Sequence, residues 1–246
     1  MPVATTSEKR KTFRRMHESG CFVLPNPWDV GSVRYLQGLG FKALASTSSC
    51  AAWSLGAPDN GITLEQAIAH VAALVAVTDL PVNADFEHGF ADDPEGVARH
   101  VARCLATGVA ALSIEDSTGE QTGPLYELSR AVERIQAARA AVDEAGQGAG
   151  HGAGEKALLV GRAECFLTGH PEPLAESIRR LRAYAAAGAD VLYAPGLRTR
   201  DQIAAVVAAV APKPVNVLAL PGMRVAELAE LGVRRISVGG GLARAA

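Results

Sequence analysis

Short apolar runs recur along the chain at fairly even intervals, and most are rich in Val, Ile and Leu without alternating with polar residues. That pattern is typical of parallel strands that are buried on both faces. It predicts eight strands, at Cys21–Leu24, Ala43–Ser46, Val82–Asp85, Ala111–Ile114, Leu158–Arg162, Val191–Ala194, Val215–Leu218 and Arg235–Val238.

Longer segments with helical spacing and strong helix formers lie between these runs. The predicted helices are Trp28–Leu39, Leu64–Val77, Pro94–Thr107, Leu125–Ala145, Pro171–Ala187, Arg200–Val210 and Met223–Leu231. Glycine follows several of them, as in LGF, TGVAALSI, AGADVLYA and LGVRRISV, where it provides the left-handed residue that ends a helix. Asp93-Pro94, His170-Pro171 and Thr63 with Gln66 mark helix starts.

Eight strands that alternate with helices predict a (β/α)8 barrel, with a doubly wound open sheet as the alternative. The lack of a nucleotide-binding fingerprint favours the closed barrel. Two stretches depart from the repeat. GQGAGHGAG at 146–154 predicts a mobile surface loop. The sequence stops shortly after the eighth strand, so we expect the eighth helix to be absent from this chain or exchanged between subunits.

Length and charge narrow the class of protein. The chain has 246 residues, which suits a single barrel domain over 1–246. Its 24 basic and 26 acidic residues nearly balance, so neither nucleic acid nor a membrane surface is expected as a partner. Its 4 cysteines form no CxxC, which predicts reduced thiols. With no signal peptide and no long apolar window, we expect a cytoplasmic protein.

Acidic residues gather where the carboxyl ends of the strands would meet, which is where such barrels place their active sites. Asp85 and Glu87 follow strand three, Glu115 follows strand four, and Asp59 lies in the loop after strand two. Four carboxylates in one small volume would repel one another unless a cation lay between them. Oxygen ligands that retain water favour Mg²⁺ over Ca²⁺, with Mn²⁺ as a substitute. Helix capping is the alternative, and it fits Asp116 better than Asp85.

Several polar residues are candidates for substrate binding. Arg162 at the end of strand five could clamp a carboxylate through two hydrogen bonds, the alternative being an ion pair with Glu164. The hydroxyls and backbone amides after strand two could bind a second carboxylate or a phosphoryl oxygen, although these residues also suit an ordinary turn; they are Thr47, Ser48 and Ser49. Asn216 in strand seven is a further candidate contact. A metal ion beside such donors describes a site that stabilises an enolate.

Five stretches of the sequence carry a resemblance to a known family: NPWDVGSVRYLQGLGFKALASTSSCAAWSLGAPD, LPVNADFEHGF, GVAALSIEDS, LLVGRAE and AGADVLYAPG. In this order they resemble the isocitrate lyase and phosphoenolpyruvate mutase superfamily across nearly the whole chain. The resemblance implies a (β/α)8 barrel, usually a homotetramer built as a dimer of dimers, in which paired subunits exchange the eighth helix.

The same resemblance implies roles for individual residues. Asp85 would bind Mg²⁺ directly, and the waters of the ion would be held by Asp59, Glu87 and Glu115. The substrate carboxylate would be held by Thr47, Ser48 and Ser49, with Arg162 completing the grip. Arg162 and Glu115 are thus the expected catalytic residues. The family acts on small 2-oxo acids or their enolates and makes or breaks C–C or P–C bonds.

The sequence departs from that family in its proton-transfer groups. The lyases carry a K-[KR]-C-G-H loop after the fourth strand and the mutases a Lys-Thr-Asn, whereas this chain has DSTGEQTGPLYE. After strand six, Pro195 stands where the mutases have His and the lyases Glu. The residues expected to hold the metal and the carboxylate are kept, but the specialised acids and bases are missing.

Decarboxylation of oxaloacetate suits such a site, because the departing CO₂ requires no general base. We therefore expect a Mg²⁺-dependent carbon–carbon lyase or decarboxylase that acts on a small 2-oxo dicarboxylate such as oxaloacetate, through a metal-stabilised enolate. One alternative is a P–C bond enzyme like phosphoenolpyruvate mutase or carboxyphosphonoenolpyruvate phosphonomutase. The other is a barrel that binds 2-oxo acids with reduced catalysis.

Overall fold

The computed structural model describes residues 4–120, 122–147 and 154–246. Its strands are β1 (Phe22–Leu24), β2 (Leu44–Ala45), β3 (Val82–Asp85), β4 (Ala111–Glu115), β5 (Leu158–Arg162), β6 (Val191–Tyr193), β7 (Val215–Leu218) and β8 (Arg235–Ser237). Its helices are α1 (Thr6–Met16), α2 (Val30–Gly38), α3 (Ser48–Ser54), α4 (Leu64–Ala76), α5 (Pro94–Ala106), α6 (Leu128–Gln147), α7 (Pro173–Ala186), α8 (Arg200–Val210), α9 (Val225–Glu230) and α10 (Gly241–Ala245).

All eight strands belong to one parallel sheet, in the order β1-β8-β7-β6-β5-β4-β3-β2. The backbone N–H of Ala45 on β2 donates to the carbonyl of Pro25, directly after β1, at 3.0 Å. This bond joins the two remaining edges, so the sheet closes as a (β/α)8 barrel. The barrel predicted from the apolar runs is confirmed, and the open doubly wound alternative is wrong.

Helix α1 was not predicted from the sequence, and it packs across one end of the barrel. Its start is fixed by a capping box, in which Thr5 Oγ1 accepts from the Glu8 N–H at 3.2 Å and Glu8 Oε2 accepts from the Thr5 N–H at 2.8 Å. Phe13 is fully buried and shares an apolar cluster with Leu158 at the start of β5. A ligand is therefore expected to enter from the opposite end, where the strands end.

Most predicted elements are confirmed with small shifts at their ends. Asp93 caps α5 by accepting from the Gly96 N–H at 2.7 Å. The expected helix start at Pro171 is wrong, because Pro173 takes the first turn of α7 instead. Helix α6 runs through Gln147, into the stretch predicted to be a mobile loop. The rest of that loop, 148–153, lies outside the described residues.

Strand β8 is followed only by α10, a helix of 5 residues. An eighth helix of ordinary length is thus absent from the part of the chain that the structure describes, and its exchange between subunits stays a prediction. All four cysteines are free thiols in the structure, and their reduced state in the cell stays a prediction. Within the same ranges no helix has both the length and the apolarity needed to cross a membrane.

Candidate active site

A polar cavity of about 450 Å³ opens where the strands end. Its size is within the usual range for small-molecule sites. The candidate residues from strands two to seven meet there, with one exception: the lining includes Thr47, Ser48, Ser49, Asp59, Asp85, Glu115, Arg162 and Asn216. The exception, Glu87, is buried behind the lining, with 2% of its surface exposed. The structure therefore brings together the residues that the sequence analysis selected.

Asp85 ends β3 and is fixed by neighbouring donors. Its Oδ2 accepts from the Ser48 backbone N–H at 3.0 Å and from the Ser48 hydroxyl at 2.9 Å. Its own backbone N–H donates to Ser46 Oγ at 2.8 Å. Both donors of Ser48 are thus directed at Asp85, and the expected grip of Ser48 on a substrate carboxylate stays a prediction.

Arg162 ends β5 and lies among three carboxylates. Its Nη1 is 3.1 Å from Asp85 Oδ1 and 3.1 Å from Glu115 Oε2, and its Nε donates to Glu164 Oε1. The ion pair with Glu164, considered as an alternative from the sequence, is therefore present. Charge-assisted bonds of this kind fix the guanidinium plane. The clamp on a substrate carboxylate stays a prediction.

Burial raises the pKa values of two of the three carboxylates around Arg162. Burial raises the pKa of Glu115 well above its ordinary value, with Arg162 opposing the shift. Burial likewise raises the pKa of Glu164, again against Arg162. One guanidinium therefore does not compensate all the negative charge gathered here.

Glu87 is a buried acid that its surroundings stabilise poorly. Its backbone has φ 46, a left-handed conformation that side chains other than glycine rarely adopt. Its Oε1 is buried without a hydrogen-bond partner. Burial, with the charges of Asp85 and Asp59, raises the pKa of Glu87 to about 8. Strain, burial and an unsatisfied oxygen in one acid are typical of functional sites.

A cation fits this group of oxygen donors. Burial and the charge of Asp85 also raise the pKa of Asp59, so several acids here would be stabilised by added positive charge. Among the described residues, however, no three acidic, His or Cys side chains are placed to ligate one ion together. A cation held here would therefore have fewer than three of these side chains as direct ligands, and water would complete its coordination.

Thr47 and Ser49 stand at the start of α3, beside the cavity. Their hydroxyls are 3.1 Å apart, and Thr47 is buried. Thr47 is the N-cap residue of α3, but its hydroxyl makes no capping hydrogen bond. Their role as carboxylate donors stays a prediction, although both line the cavity.

Asp116, expected to cap a helix, instead supports the site from behind. It accepts from the Glu164 backbone N–H at 2.8 Å, from Arg180 at 3.0 Å and from the Tyr184 hydroxyl at 2.5 Å. The capping expectation is wrong because the chain after β4 forms a turn, with Thr118 N–H bonded to Pro124 O, before α6 begins. Asp116 thereby joins the ends of β4 and β5.

On the cavity wall from β6 to β8, Asn216 was predicted from the sequence, but Tyr193 of β6 and Arg235 of β8 were not. Strand register places Glu115, Arg162, Tyr193, Asn216 and Arg235 as successive partners across β4 to β8. All of them line the cavity. Asn216 is buried between Arg235, which donates to its Oδ1 at 2.8 Å, and Ser237, which accepts from its Nδ2 at 3.0 Å. Alternate positions within each predicted strand would have indicated these residues, because side chains two apart share a face.

Comparisons of this chain with known proteins all point to one enzyme family. The family model for phosphoenolpyruvate phosphomutase matches residues 13–246. An oxaloacetate decarboxylase of Pseudomonas savastanoi pv. phaseolicola (strain 1448A / Race 6) is 31% identical over 245 residues, covering 95% of this chain and 79% of the relative. A candidate lyase/mutase from Burkholderia cenocepacia J2315 superposes with a TM-score of 0.89 at 44% identity, over 98% of this chain and 84% of that one. Oxaloacetate acetylhydrolase in complex with its product oxalate gives 0.86 at 28% identity, over 98% and 84%.

Proposed function

Since this chain belongs to the phosphoenolpyruvate phosphomutase family, we propose that it is a Mg²⁺-dependent carbon–carbon lyase that decarboxylates oxaloacetate or a close 2-oxo dicarboxylate. The chain is an enzyme of the isocitrate lyase and phosphoenolpyruvate mutase type, a type that includes metal-dependent lyases. Similarity to oxaloacetate decarboxylases and to oxaloacetate acetylhydrolase supports this choice of substrate.

One observation carries the proposal: the cavity combines a group of acids that could hold a metal ion with a lining whose described residues lack thiol, amine and imidazole side chains. Among the described residues that line it, none is a Cys, a Lys or a His. Reactions that need a positioned thiol, amine or imidazole are therefore disfavoured. Loss of CO₂ from a 2-oxo dicarboxylate places no such demand on the enzyme.

The residues of the chain have distinct roles in this proposal. Asp85 would hold the metal ion directly, and Asp59, Glu87 and Glu115 would hold its waters. A bound Mg²⁺ would supply positive charge that stabilises the negative charge developing on the 2-oxo oxygen as the C3–C4 bond breaks. Arg162, aligned by three carboxylates, would bind a substrate carboxylate, assisted by the hydroxyls of Thr47 and Ser49.

Oxaloacetate turnover tests the proposal. Pyruvate release would be followed with a coupled lactate dehydrogenase assay, with Mg²⁺ and with EDTA, against Mg²⁺ alone because the free ion also decarboxylates oxaloacetate. We expect turnover well above that background, and we expect Asp85→Asn to abolish it. Asp79→Asn, at an exposed acid, is the matched control and should retain full activity. A wild-type rate equal to the metal-only background would refute the proposal.

The family match also supports a second candidate, an enzyme that makes or breaks a P–C bond. The cavity lining disfavours it, since no Lys or His is among the described residues there. Phosphorus NMR with phosphonopyruvate separates the two candidates. A new phosphate-ester or phosphate resonance that depends on the enzyme would favour the P–C reaction.

We further propose the oligomer that the resemblance implies, a dimer of dimers with exchanged eighth helices. The likeness of this chain to the isocitrate lyase and phosphoenolpyruvate mutase superfamily supports it. Light scattering after size-exclusion chromatography measures the mass directly. A monomer of 25.5 kDa would contradict this assembly.

A further inference from the structure

A second arginine lies inside the cavity, at the opposite depth from Arg162. Arg235 is the first residue of β8, whereas Arg162 is the last residue of β5. Arg235 has 3% of its surface exposed and lines the same cavity. Because it begins its strand, its guanidinium approaches the cavity from below, and we call its surroundings the cavity floor: Asn83, Asn216, Arg235 and Ser237.

The partners of Arg235 are neutral. Its Nε donates to Asn216 Oδ1 at 2.8 Å, and its Nη1 donates to Asn83 Oδ1 at 3.1 Å. In the ranges that the structure describes, no carboxylate lies within 4.0 Å of it, whereas Arg162 has three. Burial lowers the pKa of Arg235 to about 10, so the side chain remains charged at neutral pH.

Other charged groups do not neutralise the floor. His17 of α1 lies on the far side, and burial, together with the charge of Arg235, lowers its pKa to about 3, so it is neutral. Arg244 also lines the cavity, but it is exposed and adds positive charge. Asp85, Glu115 and Glu164 contact Arg162 at the strand ends, and Asp59 lines the cavity from the loop after α3. The cavity is therefore acidic near its mouth and positive at its floor.

Without a ligand, the buried charge of Arg235 destabilises the folded protein. A buried charge that has only amide partners loses most of its hydration and gains little Coulomb energy in return. The two amide oxygens do fix the guanidinium, and they in turn are fixed by it, since each Asn presents its oxygen to Arg235. A preorganised, buried and uncompensated cation inside a ligand cavity is suited to receive an anionic group.

We propose that Arg235 determines specificity for dicarboxylates, by attracting the second carboxylate of the substrate to the cavity floor and disfavouring monocarboxylates of equal length. The inference rests on the proposed function only in taking a small 2-oxo or 2-hydroxy acid as the ligand. The first carboxylate is bound near Arg162 and the metal-binding acids, and the second extends toward Asn216 and Arg235.

Calorimetry with a matched pair of unreactive ligands tests this role. Malate and 2-hydroxybutyrate have the same carbon chain and differ in bearing a carboxylate or a methyl group at the far end. With Mg²⁺ present, we expect the wild type to bind malate about tenfold or more tightly than 2-hydroxybutyrate, the value of roughly one charge-assisted hydrogen bond. Arg235→Gln should lose that preference while keeping its affinity for 2-hydroxybutyrate within about twofold, and Arg235→Lys should retain part of it.

A second variant leaves Arg235 in place. Asn83→Asp sets a carboxylate of the same shape at the position that is 3.1 Å from Arg235 Nη1, which compensates the buried charge. It is expected to fold at least as stably as the wild type and to lose malate preference in the same way. If both variants keep the wild-type preference, or if Arg235→Gln weakens the two ligands equally, Arg235 has a structural role only and the inference is wrong.

The measurement does not depend on turnover, so the two proposals fail separately. A protein that prefers malate through Arg235 but releases no pyruvate would refute the decarboxylase and support the specificity role. A protein that decarboxylates oxaloacetate but binds malate and 2-hydroxybutyrate equally would support the decarboxylase and refute the specificity role of Arg235.

Discussion

Replacing Arg162 with Gln should destabilise the protein, and by an amount that depends on pH. The substitution removes a cation whose Nη1 is 3.1 Å from both Asp85 and Glu115 and whose Nε bonds to Glu164. The side chains of Arg162, Glu115 and Glu164 are 16%, 8% and 6% exposed, so solvent screening is weak. Removing one partner of a buried ion pair costs about 3–5 kcal/mol. With three carboxylates left, we expect the upper part of that range at pH 8.

Protonation should relieve part of this cost at lower pH. Burial already raises the pKa values of Glu115 and Glu164, and Arg162 is the main group that lowers them. Without Arg162 both pKa values rise further. A carboxyl group with a raised folded-state pKa holds protons that the unfolded chain has released, so stability falls as pH rises from the unfolded value toward the folded one. The variant should therefore lose about 1–2 kcal/mol less at pH 5 than at pH 8.

Urea unfolding at both pH values, without added metal, measures these differences. Arg103→Gln is the matched control, because Arg103 forms an exposed pair with Glu65 at 2.7 Å and should contribute less than about 1 kcal/mol at either pH. If Arg162→Gln costs no more than the control, the three carboxylates do not depend on Arg162. If its cost is equal at pH 5 and pH 8, their protonation does not relieve the loss.

Three further predictions concern neighbouring groups. The metal-free wild type should lose a few kcal/mol of stability as pH rises from about 4.5 toward 8, the pKa of buried Glu87, and Glu87→Gln should flatten that dependence in the same urea titrations; parallel curves would contradict it. Asp116→Asn should cost about 2–3 kcal/mol and lower kcat by misplacing Glu164, whereas Asp201→Asn, at an exposed residue of α8, should change neither quantity. Phe13→Ala should lower the free energy of unfolding by about 3–5 kcal/mol through a cavity beneath the barrel while leaving KM unchanged, and a shifted KM would show that α1 reaches the site.

The sequence predicted the barrel because its strands carry a strong local signal. β3, β5 and β7 have the bounds that their apolar runs indicate, since such runs must be buried on both faces. Helix α1 escaped prediction for the opposite reason. The helix sequence TSEKRKTFRRM is mostly charged, and its buried residues are Lys9, Arg10 and Phe13. Its placement therefore depends on long-range contacts, such as those of Phe13 with the far end of the barrel and of Arg10 with the Val109 carbonyl.

The site was predictable where it lies next to a strand end and unpredictable where it lies deeper. Asp85, Glu115 and Arg162 end their strands, and a linear sequence shows that directly. Which atoms they contact was not predictable. Ser48 was expected to face a substrate, yet both its donors bind Asp85. The first residue of α3 and the last residue of β3 are far apart in the sequence and become neighbours only in the folded protein.

The strand register explains why Arg235 lies in the cavity although it begins its strand. A residue that begins a strand of a parallel barrel is expected at the end away from the active site. The strands of a closed barrel are tilted and staggered, however, so a row of register partners descends from one strand to the next. Here the row from Glu115 and Arg162 through Tyr193 and Asn216 arrives at the first residue of β8. The stagger therefore places one arginine among acids at the cavity mouth and another among amides at its floor, and the difference between those surroundings is the physical basis for expecting a ligand with two negative ends.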